Sequence, residues 1–541
     1  MFKDGRIWVA GDGEEKLSMI TKFANRHGLI AGATGTGKTV TLKVIAESFS
    51  DAGVPVLLSD VKGDLSGMCR PGEAKESINK RIAELNLQDE FAFKTYPTIF
   101  WDIFGKRGLP LRTTVSEFGP MLFAKLLGLN QTQSDLLNIV FKIADDESLL
   151  LLDLKDLKAM LNYVSENAAE YKAEYGNIAS QSIAAIIRGL VSLEDKGGDM
   201  FFGEPAVDIN DWFVTKDGRG MINVLDASTL INDPGIYSTF MLWMLAELFE
   251  IMPEVGDLDK PKMVFFFDEA HLLFKDTPKA LQSKIEQVVK LIRSKGIAVF
   301  FITQNPSDIP DEVLAQLGNK VQHALRAYTP ADQKAIKAAA QSYRVNPEFD
   351  TAEAITNLGI GEAVISFIEE DGSPSIVRKA KILPPQSYMG TIDDMMRATV
   401  ISMSDLATKY RDMVDRDSAY EFLQRLQIEI LQKKEEEKQA ETERKEAERQ
   451  EKLEQKEAEK QEKLAQKEAE RKAREAEKED KKKKDVIKKG VAAVAGTAAG
   501  TIGREIGKSI GKSGGKFGTS LGGNLGASLG RGVLSTLFKL K

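Results

Sequence analysis

The chain has 541 residues, of which 42% are hydrophobic and 29% are charged, and its formal net charge is −7. This length allows roughly three to four domains, and the apolar content is enough to form sizeable buried cores. A single cysteine, Cys69, excludes an intramolecular disulfide, and with three histidines it argues against a zinc centre. Because no apolar leader follows Met1, we expect a cytoplasmic protein.

An α/β pattern opens the chain. Residues 7–10 (IWVA) predict an edge strand, and a second apolar run leads into a glycine-rich turn at 32–37. Helical periodicity follows the turn, and VPVLLSD (54–60) predicts a buried parallel strand. Strand, loop, helix and strand together form one βαβ unit.

The middle of the chain is mostly helical, and the α/β pattern then returns. Residues 98–104 predict a strand, but 115–195 have helical periodicity, so we interpret 71–218 as a mostly helical insertion. Alternating strands and helices resume after residue 218 and predict a mainly parallel, doubly wound sheet. The later strands are predicted at 220–226, 262–270, 297–304 and 321–328, and the helices between them at 238–252 and 285–296. The α/β core thus comprises 1–70 and 219–385, and 386–430 completes the body as a helical part.

Two compositionally biased segments end the chain. Residues 431–490 consist mainly of Glu, Lys, Gln, Ala and Arg. Many Glu–Lys pairs at i,i+4 favour a single charged helix, and a disordered charged linker is the alternative. No heptad seam is present, so a stable coiled coil is not supported.

The last segment, 491–541, has 7 basic residues and 1 acidic residue, with glycine recurring every three or four positions. On a helix these glycines would form one stripe, but glycine disfavours a helix that stands alone. This tail therefore either packs against another helix or an anionic membrane surface, or it stays unstructured. Because the acidic excess lies in 1–430, any nucleic-acid site on the body must be local.

The strongest chemical signal is the pattern G-x-x-x-x-G-K-[ST] at residues 32–39, between an apolar strand and a helix. Glycines let backbone N–H groups turn towards phosphates, and the helix dipole favours an anion at the same place. We expect Lys38 to neutralise the β- and γ-phosphates of ATP and the Thr39 hydroxyl to bind Mg²⁺. The expected nucleotide-binding set is Gly32, Gly35, Thr36, Gly37, Lys38, Thr39 and Val40.

Two strand ends carry the other candidate catalytic side chains. Asp268 and Glu269 lie at the end of the apolar strand predicted at 262–270, and Gln304 ends the strand IAVFFITQ. Asp268 is the candidate Mg²⁺ ligand and Glu269 the candidate general base for the attacking water. Gln304 has the right chemistry to hydrogen-bond the γ-phosphate and that water. His271, next to the acidic pair, we interpret as structural.

Two arginines and a polar turn are weaker candidates for residues of the nucleotide site. Arg293 precedes the strand that ends at Gln304, and arginine suits a transferring phosphoryl group. If Arg293 acts, it acts across a subunit interface; a solvated cation at a helix end is the alternative. Arg326 is a second, weaker candidate. The turn DVKGD (60–64) either tunes the nucleotide site or is simply a polar turn.

Four segments together resemble the HerA/FtsK superfamily of RecA-like motor ATPases: GATGTGKT (32–39), DVKGD (60–64), FFFDEAH (265–271) and ITQNP (302–306). Within it, LSDVKGDLSGM and the glycine-rich tail are similar to the bacterial, YjgR-like group. The resemblance implies a RecA-like P-loop core, ATP-driven movement of DNA, a homo-oligomeric ring such as a hexamer, and an arginine finger at Arg293. HerA proper also carries an N-terminal β-barrel that helps to organise its hexamer, for which the 31 residues before Gly32 are too few.

Three functions are compatible with these sequence features. The first is an oligomeric ATPase that moves along or remodels DNA. The second is an ATPase with a protein or membrane-associated target, using 491–541 as an anchor. The third is a nucleotide-dependent scaffold in which Glu269 is idle. The combined motifs favour the first.

Overall fold

The computed structural model describes residues 1–230, 233–256, 258–275 and 279–486. Residues 1–423 form one compact unit, and a second unit begins at Gln424. The glycine-rich tail at 491–541, with its predicted partner helix or membrane surface, lies outside the described residues. Among the helices described, none is both long and apolar enough to cross a membrane.

The first unit is built on one 13-stranded sheet and a separate two-stranded hairpin. The strands are β1 (Phe2–Lys3), β2 (Arg6–Gly11), β3 (Lys16–Ile20), β4 (Gly28–Ala31), β5 (Val56–Asp60), β6 (Thr98–Asp102), β7 (Leu109–Pro110), β8 (Thr215–Lys216), β9 (Arg219–Gly220), β10 (Ile222–Asp226), β11 (Met263–Phe267), β12 (Ile297–Thr303), β13 (Asn319–Gln322), β14 (Glu362–Ser366) and β15 (Arg378–Ile382). Strands β8 and β9 form the hairpin.

The centre of the sheet is parallel, as predicted. Neighbouring strands follow the order β13-β4-β12-β11-β5-β10-β6-β7, and every pair in this series is parallel. Strands β14, β15, β2, β1 and β3 extend the β13 side through antiparallel pairs. The carboxyl ends of the parallel strands therefore meet at one edge, which is where ligands bind in such sheets.

Helices cover the sheet and fill the segment between β7 and β10. The α-helices are α1 (Lys38–Asp51), α2 (Glu76–Glu84), α3 (Val115–Leu126), α4 (Gln131–Asp146), α5 (Leu154–Glu166), α6 (Ala168–Tyr175), α7 (Ser180–Asp195), α8 (Gly198–Phe201), α9 (Pro234–Ile251), α10 (His271–Phe274), α11 (Lys279–Leu291), α12 (Asp311–Leu314), α13 (Pro330–Gln341), α14 (Thr351–Asn357), α15 (Asp394–Ser402), α16 (Ala407–Tyr410) and α17 (Ala419–Val486). Short 3₁₀ helices span Thr21–Arg26, Asp64–Cys69, Ile209–Trp212, Ile292–Lys295 and Pro306–Asp308.

The segments predicted as a helical insertion (71–218) and as a charged helix or linker (431–490) contain the following elements. Helices α2–α8 fall within 71–218, but the same range also supplies β6 and β7 to the central sheet. The charged segment 431–490 is helical as far as Val486, as part of α17. Its exposed side chains form i,i+4 pairs such as Lys445–Glu441, which stabilise an isolated helix. The domain boundaries themselves stay a prediction.

Helix α1 packs its apolar face on the sheet and begins directly after the glycine-rich turn at 32–37. Phe49 on α1 lies edge-on to Phe300 of β12, with ring centroids 6.2 Å apart, and Phe300 stacks on Phe266 of β11 at 5.1 Å. All three rings are buried. Burying aromatic side chains of this size stabilises the fold by about 2 kcal/mol each. This packing fixes the carboxyl-terminal half of α1 on β11 and β12.

Two buried side chains of opposite charge, Lys43 and Glu47, join α1 to the segment after β15. Glu47 accepts hydrogen bonds from the backbone N–H groups of Gln386 (2.8 Å) and Ser387 (3.1 Å). Lys43, one turn earlier, donates to the carbonyl oxygen of Tyr388. Burial raises the pKa of Glu47 and lowers that of Lys43. The two groups therefore compensate each other inside the fold.

Candidate functional site

The glycine-rich loop lies between β4 and α1, at the carboxyl edge of the sheet. Gly35 and Gly37 have φ of 77° and 120°, a region that side chains disfavour. A Cβ on Gly32 would lie 2.5 Å from the Cβ of His323, so no side chain fits there. Because α1 begins at Lys38, its unpaired N–H groups and its dipole face this loop.

The Lys38 ammonium is buried at the mouth of the loop. Its Nζ donates to the carbonyl oxygens of Gly32 at 2.6 Å and Ala33 at 3.2 Å. Burial lowers the pKa of Lys38, while the charges of Glu269 and Asp268 raise it. The lysine and the acidic pair therefore share one electrostatic environment, as the motifs predict.

A buried histidine supports the loop from behind. His323 Nδ1 lies 2.9 Å from the carbonyl oxygen of Glu362, and Nε2 lies 2.8 Å from Thr41 Oγ1. Nδ1 must donate to the carbonyl, so Nε2 accepts from the threonine hydroxyl. Burial lowers the pKa of His323 to about 4, which keeps the ring neutral near pH 7. Gly361 N–H also donates to Thr36 O at 2.9 Å.

Asp268 and Glu269 follow β11, and Gln304 follows the neighbouring parallel strand β12. The backbone at Asp268 is held on both sides, because its N–H donates to Ser59 Oγ (3.1 Å) and its carbonyl accepts from Tyr237 Oη (2.6 Å). Burial, with a contribution from Glu269, raises the pKa of Asp268 to about 7. Glu269 has φ of 50°, which is uncommon outside glycine and is typical of functional positions.

Three side chains surround the carboxylate of Glu269, a residue that is 7% exposed. Gln304 Nε2 donates to its Oε2 at 3.4 Å, and His271 Nδ1 lies 3.4 Å from the same oxygen. Lys62 Nζ is 3.9 Å from Oε1. His271 thus lies within the site, although the sequence suggested a structural role. Lys62 brings the DVKGD turn to the same carboxylate.

The rest of that turn has a structural role. Asp60 Oδ1 accepts from Gly63 N–H at 2.7 Å, and its Oδ2 accepts from Leu65 N–H at 3.2 Å. Burial raises the pKa of Asp60 to about 7. Asp60 therefore shapes the turn from which Lys62 projects.

The two arginine candidates occupy different places. Arg293 lies in the 3₁₀ helix before β12, whereas Gln304 follows the same strand. At about 3.3 Å per residue, the 7-residue strand β12 separates them by roughly 23 Å. Arg293 therefore does not reach the phosphate loop of its own chain. Arg326 donates to the carbonyl oxygens of Thr356 at 2.7 Å and Leu358 at 3.4 Å.

Sequence reasoning missed a second charged cluster on the same edge. Asp226 ends β10, and its Oδ2 lies 3.4 Å from Nη1 of the buried Arg397 on α15. Arg107 Nε is 3.3 Å from the same oxygen. This cluster attaches α15 to the edge of the sheet. Because its members lie far apart in sequence, no local pattern indicates it.

The residues proposed for Mg²⁺ have suitable chemistry. Thr39 supplies a hydroxyl oxygen and Asp268 a carboxylate, which are hard donors of the kind that Mg²⁺ prefers. Burial raises the pKa of Asp268 to about 7, and a cation bound beside it would favour the ionised carboxylate. When bound, Mg²⁺ would offset charge on the phosphates.

Comparisons with known proteins agree with this fold and these motifs. The plasmid coupling protein TrwB, solved with a non-hydrolysable ATP analogue, aligns with a TM-score of 0.50 at 15% identity, over 72% of this chain and 92% of TrwB. At this identity the likeness shows a shared fold.

Curated relatives are more similar in sequence. The DNA double-strand break repair helicase HerA of Sulfurisphaera tokodaii is 25% identical over 68% of this chain and 67% of its own length. HerA of Saccharolobus solfataricus is 21% identical over 67% of this chain and 66% of its own length. The alignments thus span about two thirds of these relatives. Residues 7–517 match the Helicase HerA-like C-terminal family, and the chain belongs to that family.

Proposed function

We propose that the chain hydrolyses ATP with Mg²⁺ and uses the energy to move along DNA as a homo-oligomer. The observation that carries this proposal is the meeting of Lys38, Glu269 and Gln304 at one sheet edge. The curated relatives, which are described as DNA repair helicases, supply the DNA part of the proposal.

In the proposed hydrolysis, each of these side chains has a separate role. Lys38 and the N–H groups at the start of α1 hold the β- and γ-phosphates. Glu269 takes a proton from the attacking water, while Gln304 orients that water and the carboxylate. Lys62 and His271 position Glu269 from its other sides. The buried setting strengthens each of these electrostatic contacts.

In this proposal, a neighbouring subunit of the homo-oligomer completes the site. The position of Arg293, at the far end of β12, favours a role in the site of a neighbouring subunit. An arginine supplied in this way stabilises charge on the transferring phosphoryl group. A ring of such subunits, for instance a hexamer, would couple hydrolysis in one subunit to its neighbour.

The test is an ATPase titration with single-stranded, duplex and forked DNA, run beside native mass measurement with and without nucleotide. We expect DNA to stimulate turnover and Lys38→Ala to abolish it. Turnover that is equal with and without every DNA would instead favour a protein or membrane-associated target. Absence of turnover in the wild type would leave only a nucleotide-dependent scaffold.

A further inference from the structure

A second lysine lies at the carboxyl edge of the sheet, beside the acidic pair. Lys62 belongs to the turn after β5, and its Nζ lies 3.9 Å from Oε1 of Glu269. The Lys62 side chain is 50% exposed, whereas the Glu269 side chain is 9% exposed. An ion pair of this length with one exposed partner adds little to the stability of a fold. Folding alone therefore gives little reason for a cation at this position.

The turn that carries Lys62 is fixed by hydrogen bonds. Asp60, which is buried, accepts from two N–H groups within the turn, as described above. Ser66 Oγ donates to the carbonyl oxygen of Gly63 at 2.7 Å and accepts from the N–H of Ile392 at 3.2 Å. The flexible four-carbon side chain of Lys62 therefore starts from a fixed point on the backbone.

With Glu269 as the general base, the γ-phosphate comes within reach of the Lys62 ammonium. A general base lies about 3 Å from the attacking water, and that water lies about 3–3.5 Å from the phosphorus atom. The phosphorus is then within roughly 6–7 Å of the Glu269 carboxylate. Lys62 Nζ is 3.9 Å from the same carboxylate and carries three N–H donors, so it can contact Glu269 and a phosphate oxygen together.

Lys62 also acts electrostatically on the lysine of the phosphate loop. Burial, chiefly, lowers the pKa of Lys38; the charge of Glu269 raises it, and the charge of Lys62 lowers it. The two ammonium groups thus share one electrostatic environment. An anion placed near both of them is attracted to each, and the γ-phosphate brings negative charge that a nucleoside diphosphate lacks.

We propose that Lys62 is a further catalytic residue, which binds the γ-phosphate and thereby distinguishes a nucleoside triphosphate from a diphosphate. Lys38 holds the phosphates from the loop, whereas Lys62 contacts the γ-phosphate from the side of Glu269. One ammonium group that contacts both the γ-phosphate and the base keeps them at a fixed separation during hydrolysis. This inference rests on the proposed function and adds to it a preference for the third phosphate.

The test compares two ligands that differ by the third phosphate. Calorimetry measures the affinity of the full chain for a non-hydrolysable ATP analogue and for ADP, both with Mg²⁺, in the wild type and in Lys62→Met. The substitution keeps the length of the side chain and removes its charge. We expect a loss of about tenfold in affinity for the analogue, in line with one hydrogen bond to a charged group. The affinity for ADP should stay unchanged.

Two matched variants control for charge and position. Lys62→Arg keeps a cation at the site and should recover most of the affinity for the analogue. Lys22→Met removes an exposed lysine from the 3₁₀ helix before β4, at the opposite edge of the sheet, and should change neither affinity. Retained affinity for ADP also shows that the site of each variant is folded.

A wild-type ratio of the two affinities in Lys62→Met would overturn the proposal, even if turnover falls, because Lys62 would then act through Glu269 alone. An equal loss of affinity for both ligands would also overturn it, since ADP has no third phosphate. If the wild type binds neither ligand, the proposed function fails as well. If the wild type hydrolyses ATP and the ratio is unchanged in Lys62→Met, only this inference fails.

Discussion

The Glu269 carboxylate and the Gln304 side-chain amide lie 3.4 Å apart, at the ends of neighbouring parallel strands. The amide donates a hydrogen bond without bringing a charge, and this bond orients the carboxylate. His271 approaches the same oxygen, and Lys62 approaches the other one. A base held in this way can act on a water placed beside the γ-phosphate.

Glu269→Gln removes the proposed general base while keeping the shape of the side chain. We expect kcat to fall by about 100-fold or more, because general-base catalysis contributes at least this much, while the affinity for ATP is retained. Single-turnover phosphate release and equilibrium ATP binding measure the two effects. Glu312→Gln, on the exposed surface of α12, serves as the matched control. Hydrolysis at the wild-type rate in Glu269→Gln would remove this residue from the mechanism.

Mixing two inactive variants tests whether Arg293 acts across subunits. Lys38→Ala and Arg293→Ala should each lose hydrolysis, and their mixture should recover part of it. Recovery follows because about a quarter of the interfaces in a random mixed ring combine an intact loop with an intact neighbouring arginine. Arg326→Ala should retain hydrolysis. A mixture no more active than its components, or full activity of Arg293→Ala alone, would contradict the role in trans.

Local sequence patterns were enough to predict the parallel core. The motifs around it could be recognised because each occupies a short run of residues at one strand end. The β14–β15 hairpin was missed, since EAVIS and RKAKI lack the long apolar runs of the central strands. The strand expected at 321–328 is displaced to Asn319–Gln322. Beyond Gln322 the chain leaves the sheet to support the phosphate loop.

Contacts between residues that are far apart in the sequence could not be predicted from the spacing of residues. His323 and Thr41 are 282 positions apart, yet their side chains meet behind the glycine-rich loop. The Arg397–Asp226 pair likewise forms only when α15 packs on the edge of the sheet. A single histidine or arginine carries no pattern that predicts such a partner.

Glu47→Ala tests the buried connection between α1 and the segment after β15. The substitution leaves the N–H groups of Gln386 and Ser387 unpaired and removes the acidic group that acts most strongly on the buried Lys43. We expect a loss of about 3 kcal/mol in the free energy of unfolding, since removing one member of a buried pair typically costs this much. Urea denaturation measures the loss, with the exposed Glu76→Ala on α2 as control. Equal midpoints for wild type and Glu47→Ala would contradict the contact.

The buried His27 should make the free energy of unfolding depend on pH. Burial, chiefly, lowers its pKa to about 4 from an unfolded value of 6.5. Between these values the unfolded chain binds more protons, so the contribution of His27 falls as the pH drops from 6.5 towards 4. The expected slope is about 1.4 kcal/mol per pH unit.

The measurement is the difference in unfolding free energy between the wild type and His27→Asn, from pH 4 to pH 7. Asparagine tolerates the positive φ of 55° at this position and does not titrate there. A difference measurement is needed because carboxyls such as Asp60, with a pKa raised to about 7, contribute the opposite slope. A pH-independent difference would show that His27 does not titrate as described.

The proposal that ATP hydrolysis at this site drives movement along DNA is tested most directly by displacement of a third strand from a duplex. The wild type should release the third strand only with ATP and Mg²⁺, and Lys38→Ala and Glu269→Gln should release none. ATP hydrolysis by the wild type without strand release, on any duplex length tried, would contradict the motor function.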